Sequence, residues 1–234
     1  RVELRAVDLN SYQQLAGKAY TISRLEDVNV IVKRYVDDLL EQLTGREGIY
    51  ASKIVFIGKK TKNSHKQLYT CDIDGSNIQQ LTYGDYLHLR PSWGPEGKKV
   101  LYTSYAKGKP DLYQFDILSQ EHKLLAHYKG INSGGRFHPY ADFIVYSGSV
   151  GGESDLFITK PPYKERYNLT NSFGIDVDAA FSPDGKSLAF VSGRYGNPHI
   201  FVADLVWNKN RGFYELSKAT RLTWKGWYNT TPAW

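Results

Sequence analysis

"PSWGPEGKKVLYTS", residues 91–104, returns in altered form as "AAFSPDGKSLAFVS", residues 179–192, with an aromatic residue, Pro, Gly and Lys in the same order. Pro95 and Pro183 stand 88 residues apart, and Pro139 in "GRFHPYADFIVYSG" lies midway, so the period is 44. The same step relates Trp93, Phe137 and Phe181; Tyr102, Tyr146 and Phe190; and Tyr69, Tyr113, Phe157 and Phe201. Leu81, Leu125 and Leu169 keep it as well. Leu222 follows 53 residues later because "VWNKNRGFYELSKA" inserts extra residues, which reads as a loop.

A repeat of 40 to 50 residues with strand-like content specifies a β-propeller, one four-stranded blade per repeat. Within a repeat, "RPSW" reads as the short first strand, "GPEGKK" as a tight turn, "VLYTS" as the second strand, "PDLYQFDI" as the third and "HKLLAHY" as the fourth. Pro and Gly shape the turn, and the aromatic before it packs between blades. Asp184-Gly185 is a strong hairpin signal and Glu96-Gly97 a weaker one, while the middle repeat has Tyr140-Ala141-Asp142 instead. This accounts for the motif structurally and assigns it no chemistry.

The fold class is therefore mainly β. Residues 51–234 make a partial propeller: the later strands of one blade (53–82), three full repeats, and "PAW" at 232–234 matching "PSW" at 91–93. About four blades are too few to close a ring of the usual size, so the chain is expected to be part of a longer protein. Residues 1–50 read differently, as the C-terminal part of a small α/β domain. "VELRAVDL" and "QLAGKAYTIS" form a strand pair turning at Asn10-Ser11. A helix follows, with Ser23 and Glu26 as a capping box, Leu25, Val28, Ile31, Val32, Tyr35, Val36, Leu39 and Leu43 at helical spacing, and Gly45 as its C-cap.

Composition agrees and excludes several classes. The 234 residues are 41% apolar and include 18 Tyr, 10 Phe, 5 Trp, 21 Gly and 9 Pro, which suits many short strands and tight turns. Cys71 is the sole cysteine, so neither an intramolecular disulfide nor a CxxC or zinc-ribbon motif can form. Sharing a column with Phe115, Thr159 and Ala203, it reads as a buried, inert thiol. The net charge of +6 has its densest patch at Lys59, Lys60, Lys62 and Lys66, a solvated hairpin loop without any nucleic-acid signature. No apolar run approaches the ~20 residues of a membrane span.

The helix with "LTGREGIYASKIVFIG", followed by blades such as "FSPDGKSLAFVSGRYGNPHIFVADL", resembles the TolB family, periplasmic propellers of the Tol-Pal envelope system. The resemblance covers the whole chain; the helix and junction discriminate it from other propellers. It implies six blades in the full protein, a monomeric non-enzymatic scaffold without cofactor, and binding of the peptidoglycan-associated lipoprotein Pal, with roles in outer-membrane integrity, protein transport and cell division. TolB proteins engage TolA through an N-terminal peptide that would precede Arg1, so contact with TolA is possible only through that missing segment and is not carried over to these residues. In TolB-like proteins the Pal surface lies around the channel mouth, on residues just before each first strand, and the resemblance implies as matching positions Tyr86, His88 and Arg90; Asn132, Ser133 and Arg136; Ile175, Asp176 and Asp178; Asn229, Thr230 and Thr231. Loops held by a rigid scaffold are where function concentrates.

Other chemistry finds little support. His88 and His138 have no partner at ligand spacing. Asp176 and Asp178 would point to one side of a strand and could hold a cation, a reading placed behind structure or partner contact. No G-x-S-x-G occurs, so the alternative of a serine-peptidase propeller (prolyl oligopeptidase or tricorn type) needs a catalytic domain elsewhere. A propeller binding carbohydrate or another small ligand in its channel stands third. Trp207, Trp224 and Trp227 are expected on a blade edge or partner surface, Trp93 and Trp234 in the core.

Overall fold

The computed structural model describes every residue of the chain except Glu26, and the side chain of Val150 also lies outside the description. Its contacts divide the chain into two compact units: Arg1–Ile54 with Thr70–Gln79, and Val55–Tyr69 with Gln80–Trp234.

In the first unit, β1 (Val2–Val7) and β2 (Gln14–Tyr20) pair antiparallel and turn through residues 8–13. Asp8 caps that turn by accepting from the Asn10 and Ser11 amides, which holds its carboxyl below the usual range. The helix α1 spans Asp27–Thr44. Tyr35 is its buried anchor and donates to the Ala16 carbonyl at 3.1 Å. Gly45 ends it at φ 69°, its amide bonded to Glu41 O, the left-handed C-cap the sequence called for. The expected capping box rests on Glu26 and lies outside the described residues. The apolar stripe is shorter than expected: Leu25 precedes the helix and is 84% exposed, and Leu43 is exposed too, leaving Val28 to Leu39 as the packed face. Asp72 receives Lys33 at 2.8 Å and Lys53 at 2.7 Å, with Asn77 adding a third donor.

Four sheets follow. β3 (Lys53–Gly58), β4 (Gln67–Asp72) and β5 (Gln79–Gln80) form the first, and the division between units passes along these strands. β6 (His88–Trp93), β7 (Lys99–Ser104), β8 (Asp111–Asp116) and β9 (His122–Ala126) form the second. β10 (Asn132–Phe137), β11 (Ile144–Val150), β12 (Glu153–Thr159) and β13 (Tyr167–Asn168) form the third. The fourth has β14 (Asp176–Phe181), β15 (Ser187–Ser192), β16 (His199–Asn208), β17 (Phe213–Leu216) and β18 (Thr220–Arg221). Each is an antiparallel meander, the blade that the 44-residue period specifies.

Period-2 alternation decides which blade each side chain meets. Val100 and Tyr102 turn back to Leu68 and Leu81, whereas Leu101 between them joins Ile144 and Tyr146 of the next blade. One blade on, Ile144 and Tyr146 face backward while Val145 meets Leu188 and Phe190. The aromatic columns read from the sequence are these inter-blade layers: Tyr102, Tyr146 and Phe190 are all buried. Trp93 packs beside the first of them as expected, but Trp234 is 57% exposed, tied only by its indole N–H to Ala180 O.

Two turns also depart from expectation. The stretch "VWNKNRGFYELSKA" is no loop: β16 runs on through it and pairs with β17, Trp207 opposite Tyr214, and Phe213 is buried against Tyr167. Glu96-Gly97 has both residues at positive φ (61° and 63°), while at Asp184-Gly185 only the glycine does, because the Asp184 carboxylate instead takes Ser182 Oγ and the Lys186 amide.

A side-chain clasp closes three blades at the start of the third strand. The hydroxyls of Thr82, Thr170 and Thr223 accept the amides of Leu68, Leu156 and Ile200 at 2.8, 2.9 and 2.9 Å. The same hydroxyls bond Gln67, Asp155 and His199. In the β6–β9 blade the matching position is Ala126, and Asp111 is held by His127 and Lys109 instead. Thr170→Val should cost about 1–3 kcal/mol, since it strands the Leu156 amide and the Asp155 carboxyl in a buried place; urea denaturation checks this, and a loss under ~0.5 kcal/mol would make the clasp incidental.

Lys33 and Lys53 hold the Asp72 carboxyl far below its ordinary range. A depressed carboxyl contributes stability above its unfolded value and loses it as pH falls. Asp72→Asn should therefore lower the thermal midpoint at pH 7, with the gap to wild type closing below about pH 4. A gap independent of pH would refute the assignment.

Candidate functional site

The first strand of each blade carries a bulge at one repeated place. Pairing slips between Leu89 and Ser92, between Ser133 and Arg136, and between Val177 and Ala180. The residue inside each slip is left-handed: Arg90 at φ 53°, Gly134 at 64° and Asp178 at 57°, with Thr231 at 57° in the corresponding place of the last repeat. A bulge leaves its extra residue unpaired and re-aims the side chain. Here it turns one residue per blade out of the ladder, and the sequence chooses what it presents.

Arg90 and Asp178 meet across the intervening blade. Their four terminal atoms form a bidentate pair, Nη1 to Oδ1 and Nη2 to Oδ2, the latter at 3.1 Å. Gly134 makes the span possible, because a Cβ there would lie 3.0 Å from Arg90 Nη1 and 3.8 Å from Asp178 Oδ1. Planar fork-to-fork pairing fixes orientation as well as distance. Arg136 completes the cluster, its Nη1 donating to Gly135 O at 3.1 Å. Burial pushes its pKa down from the ordinary arginine value; Asp178 pulls it back and Arg90 opposes that. Asp178 thus pairs directly with Arg90, and Arg136 feels both charges.

The other expected site residues separate by role. His88, Asn132 and Asp176 are buried, and the last two pin neighbouring backbone or side chains. Asn132 Nδ2 donates to Tyr128 O at 2.8 Å, and Asp176 accepts from Ser172 at 2.7 Å and from Arg194. Asn229, in the same column, donates to Lys225 O and sits 3.2 Å from His199 Nδ1. Ser133 is half-buried against the Thr103 hydroxyl. Tyr86, Ile175, Thr230 and Thr231 are exposed. The expectation that Asp176 and Asp178 share one side of a strand fails: the bulge rotates Asp178 toward Arg90 while Asp176 turns inward. Among the described residues no group of three His, Cys, Asp or Glu side chains could hold a metal.

His138 is a core residue, accepting the Tyr140 and Ala141 amides on Nδ1 with Nε2 3.0 Å from Gly185 O. Cys71 is free and buried. Trp207, Trp224 and Trp227 are exposed, as expected. The sequence reading missed Gly134, although the column Arg90, Gly134, Asp178 could have been written from the period alone. It also missed Arg194, the cation that neutralises Asp176.

An antiparallel-bladed propeller whose bulged inner strands present a charged cluster is the class this geometry defines. The TolB beta propeller domain matches residues 40–234. The chain is 35% identical to the Tol-Pal system protein TolB of Gluconobacter oxydans over 74% of its length and 39% of that protein. It is 30% identical to a TolB homolog of Chlorobium luteolum over 82% of its length and 43% of the relative. The crystal structure of TolB from Acinetobacter baumannii superposes with a TM-score of 0.78 at 24% identity, covering 97% of this chain and 55% of that one. The chain belongs to the TolB β-propeller family and spans less than half the length of these curated relatives.

Gly134→Ala should cost roughly 1–2 kcal/mol, the penalty of a side chain in the left-handed region, and should displace the Arg90 guanidinium. Denaturation with a structure of the variant tests both; unchanged stability and an intact Arg90–Asp178 pair would show that the glycine is not required.

Proposed function

We propose that this chain is the propeller-bearing part of a non-enzymatic Tol-Pal scaffold, acting in the periplasm, whose bulged inner strands bind the Pal lipoprotein. Two relatives that carry the Tol-Pal name at 35% and 36% identity support the system. The observation that carries the reading is the Arg90–Asp178 pair with Arg136 beside it. This rigid, oriented cluster of charges, built on strands instead of mobile loops, suits recognition of a folded partner. Tyr86, Ile175, Thr230 and Thr231 would form the surrounding contact, while Asn132, Asp176 and Asn229 hold the backbone beneath it and His88 packs there as a buried ring. Binding is reversible and competitive, and contact with TolA would use a segment outside these residues. Supporting outer-membrane integrity and cell division follows from that coupling.

No helix among the described residues is long and apolar enough to cross a membrane. Titration calorimetry with the cognate soluble Pal domain tests the reading. Arg90→Ala and Asp178→Ala should each weaken binding at least tenfold, because removing one partner leaves the other charge uncompensated. Saturable binding unaffected by either change would move the interface off this cluster. No binding by the folded protein would favour a propeller that gates a peptidase.

A further inference from the structure

The β6–β9 blade departs from its neighbours at one corner, and the departures together open a cavity of about 220 Å³. Three pins of the column His88, Asn132, Asp176 and Asn229 are satisfied by side chains or loop carbonyls. His88 is not: it is 2% exposed, and neither ring nitrogen has a hydrogen-bond partner.

The repeat explains why. At the place of Tyr128, whose ring covers the Arg166 guanidinium in the next blade, this blade has Gly84. In place of Arg166 it has the shorter His122, which is bonded to Tyr102 Oη at 2.8 Å. At the place of Arg194, the cation that reaches Asp176, it has Ala106. The loop that would otherwise pin residue 88 is held by Gln67 through the carbonyls of Gly84 and Tyr86. Each change removes a group that fills or neutralises this corner elsewhere, and none supplies a partner for His88.

The walls say what could enter. Tyr83, Tyr86, Tyr102, Tyr113, His88 and His122 line the space, with Thr82 and Ser104 hydroxyls beside them and no formally charged group. Tyr102 stacks on Tyr113 with centroids 5.7 Å apart, and Tyr86 and Tyr102 stand edge-on to the His88 ring, both at 5.3 Å. Burial and the neighbouring His122 push the His88 pKa down to about 4, so the ring is neutral at physiological pH and offers one donor and one acceptor. Apolar walls with a few convergent polar groups define a ligand site, and this volume suits a single ring.

We propose that this corner is a binding site for a small, uncharged, hydroxyl-bearing ring, stacked on the tyrosines and hydrogen-bonded to His88. A sugar ring and a phenol share that chemistry. The site is argued from the blade's own interior and not from the Pal reading; Tyr86 and His88 belong to both, so the titration is run without any protein partner.

The test is NMR titration of the purified protein with methyl glucoside in one arm and phenol in the other, following the His88 and His122 ring resonances, and those of His122 alone in the His88→Phe variant. Saturable shifts in one arm are expected and identify the source. Ala106→Arg, which changes only the rim and supplies the residue found at this place in the fourth sheet, should abolish them with the thermal midpoint unchanged. His88→Phe should weaken binding at least tenfold while keeping the packed ring. No saturable shift with either probe up to tens of millimolar, or saturation that survives both substitutions, would overturn the proposal.

Discussion

Every middle strand in this propeller must be apolar on both faces, because it is sandwiched between two blades and has no side left for water. Val100, Leu101 and Tyr102 are all buried, as are Ile144, Val145 and Tyr146 and then Leu188, Ala189 and Phe190. Burial of about 25 cal/mol for each Å² of apolar surface is the main favourable term, and a blade alone, with neither face covered, has none of the inter-blade part of it. Secondary structure, register and the spacing of turns all serve this layering. A one-residue slip would exchange the forward-facing and backward-facing sets and leave both interfaces mismatched.

That constraint explains what the sequence revealed and what it hid. Inter-blade layers recur at a fixed step because every blade solves the same packing problem, so Tyr102, Tyr146 and Phe190 announce themselves. The helix was equally legible in its middle, from Val28 to Leu39, and at its Gly45 cap. Its ends were not: periodicity alone cannot tell that Leu25 lies beyond the first turn. The insertion before Leu222 misled for a different reason. Extra residues between strands read as loop, yet Val206, Trp207, Tyr214 and Leu216 have the β propensity to extend the existing ladder.

The site was half legible. Charged and polar residues ahead of each first strand could be named, but not sorted into exposed and buried. Alternation predicts that Asp176 and Asp178 face together; a bulge breaks alternation at that point, and nothing in "IDVDAAF" signals it. The buried pins were misplaced on the surface for the converse reason. Asn132 and Asp176 are polar and adjacent to loops, yet they spend their hydrogen bonds holding those loops. Arg166 and His122 show the same logic inside the blades: where the layer residue is Tyr, a basic group stands beside its hydroxyl, and Phe190 has Arg194 over its face instead.

The left-handed backbone at the bulge recurs in one column, and what that column carries differs from blade to blade. Glycine adopts the left-handed conformation freely, and Gly134 shows that this position accepts it. Arg90 and Asp178 occupy the same conformation at a cost of about 1–2 kcal/mol each. A position that could have been glycine in all blades, but carries a cation in one and an anion two blades away, is specified by its side chains and not by the turn. The Arg90–Asp178 pair returns part of that cost by orienting both groups. The bulge recurs in three blades, two of them place opposite charges on it, and the glycine between leaves room for the two side chains to pair.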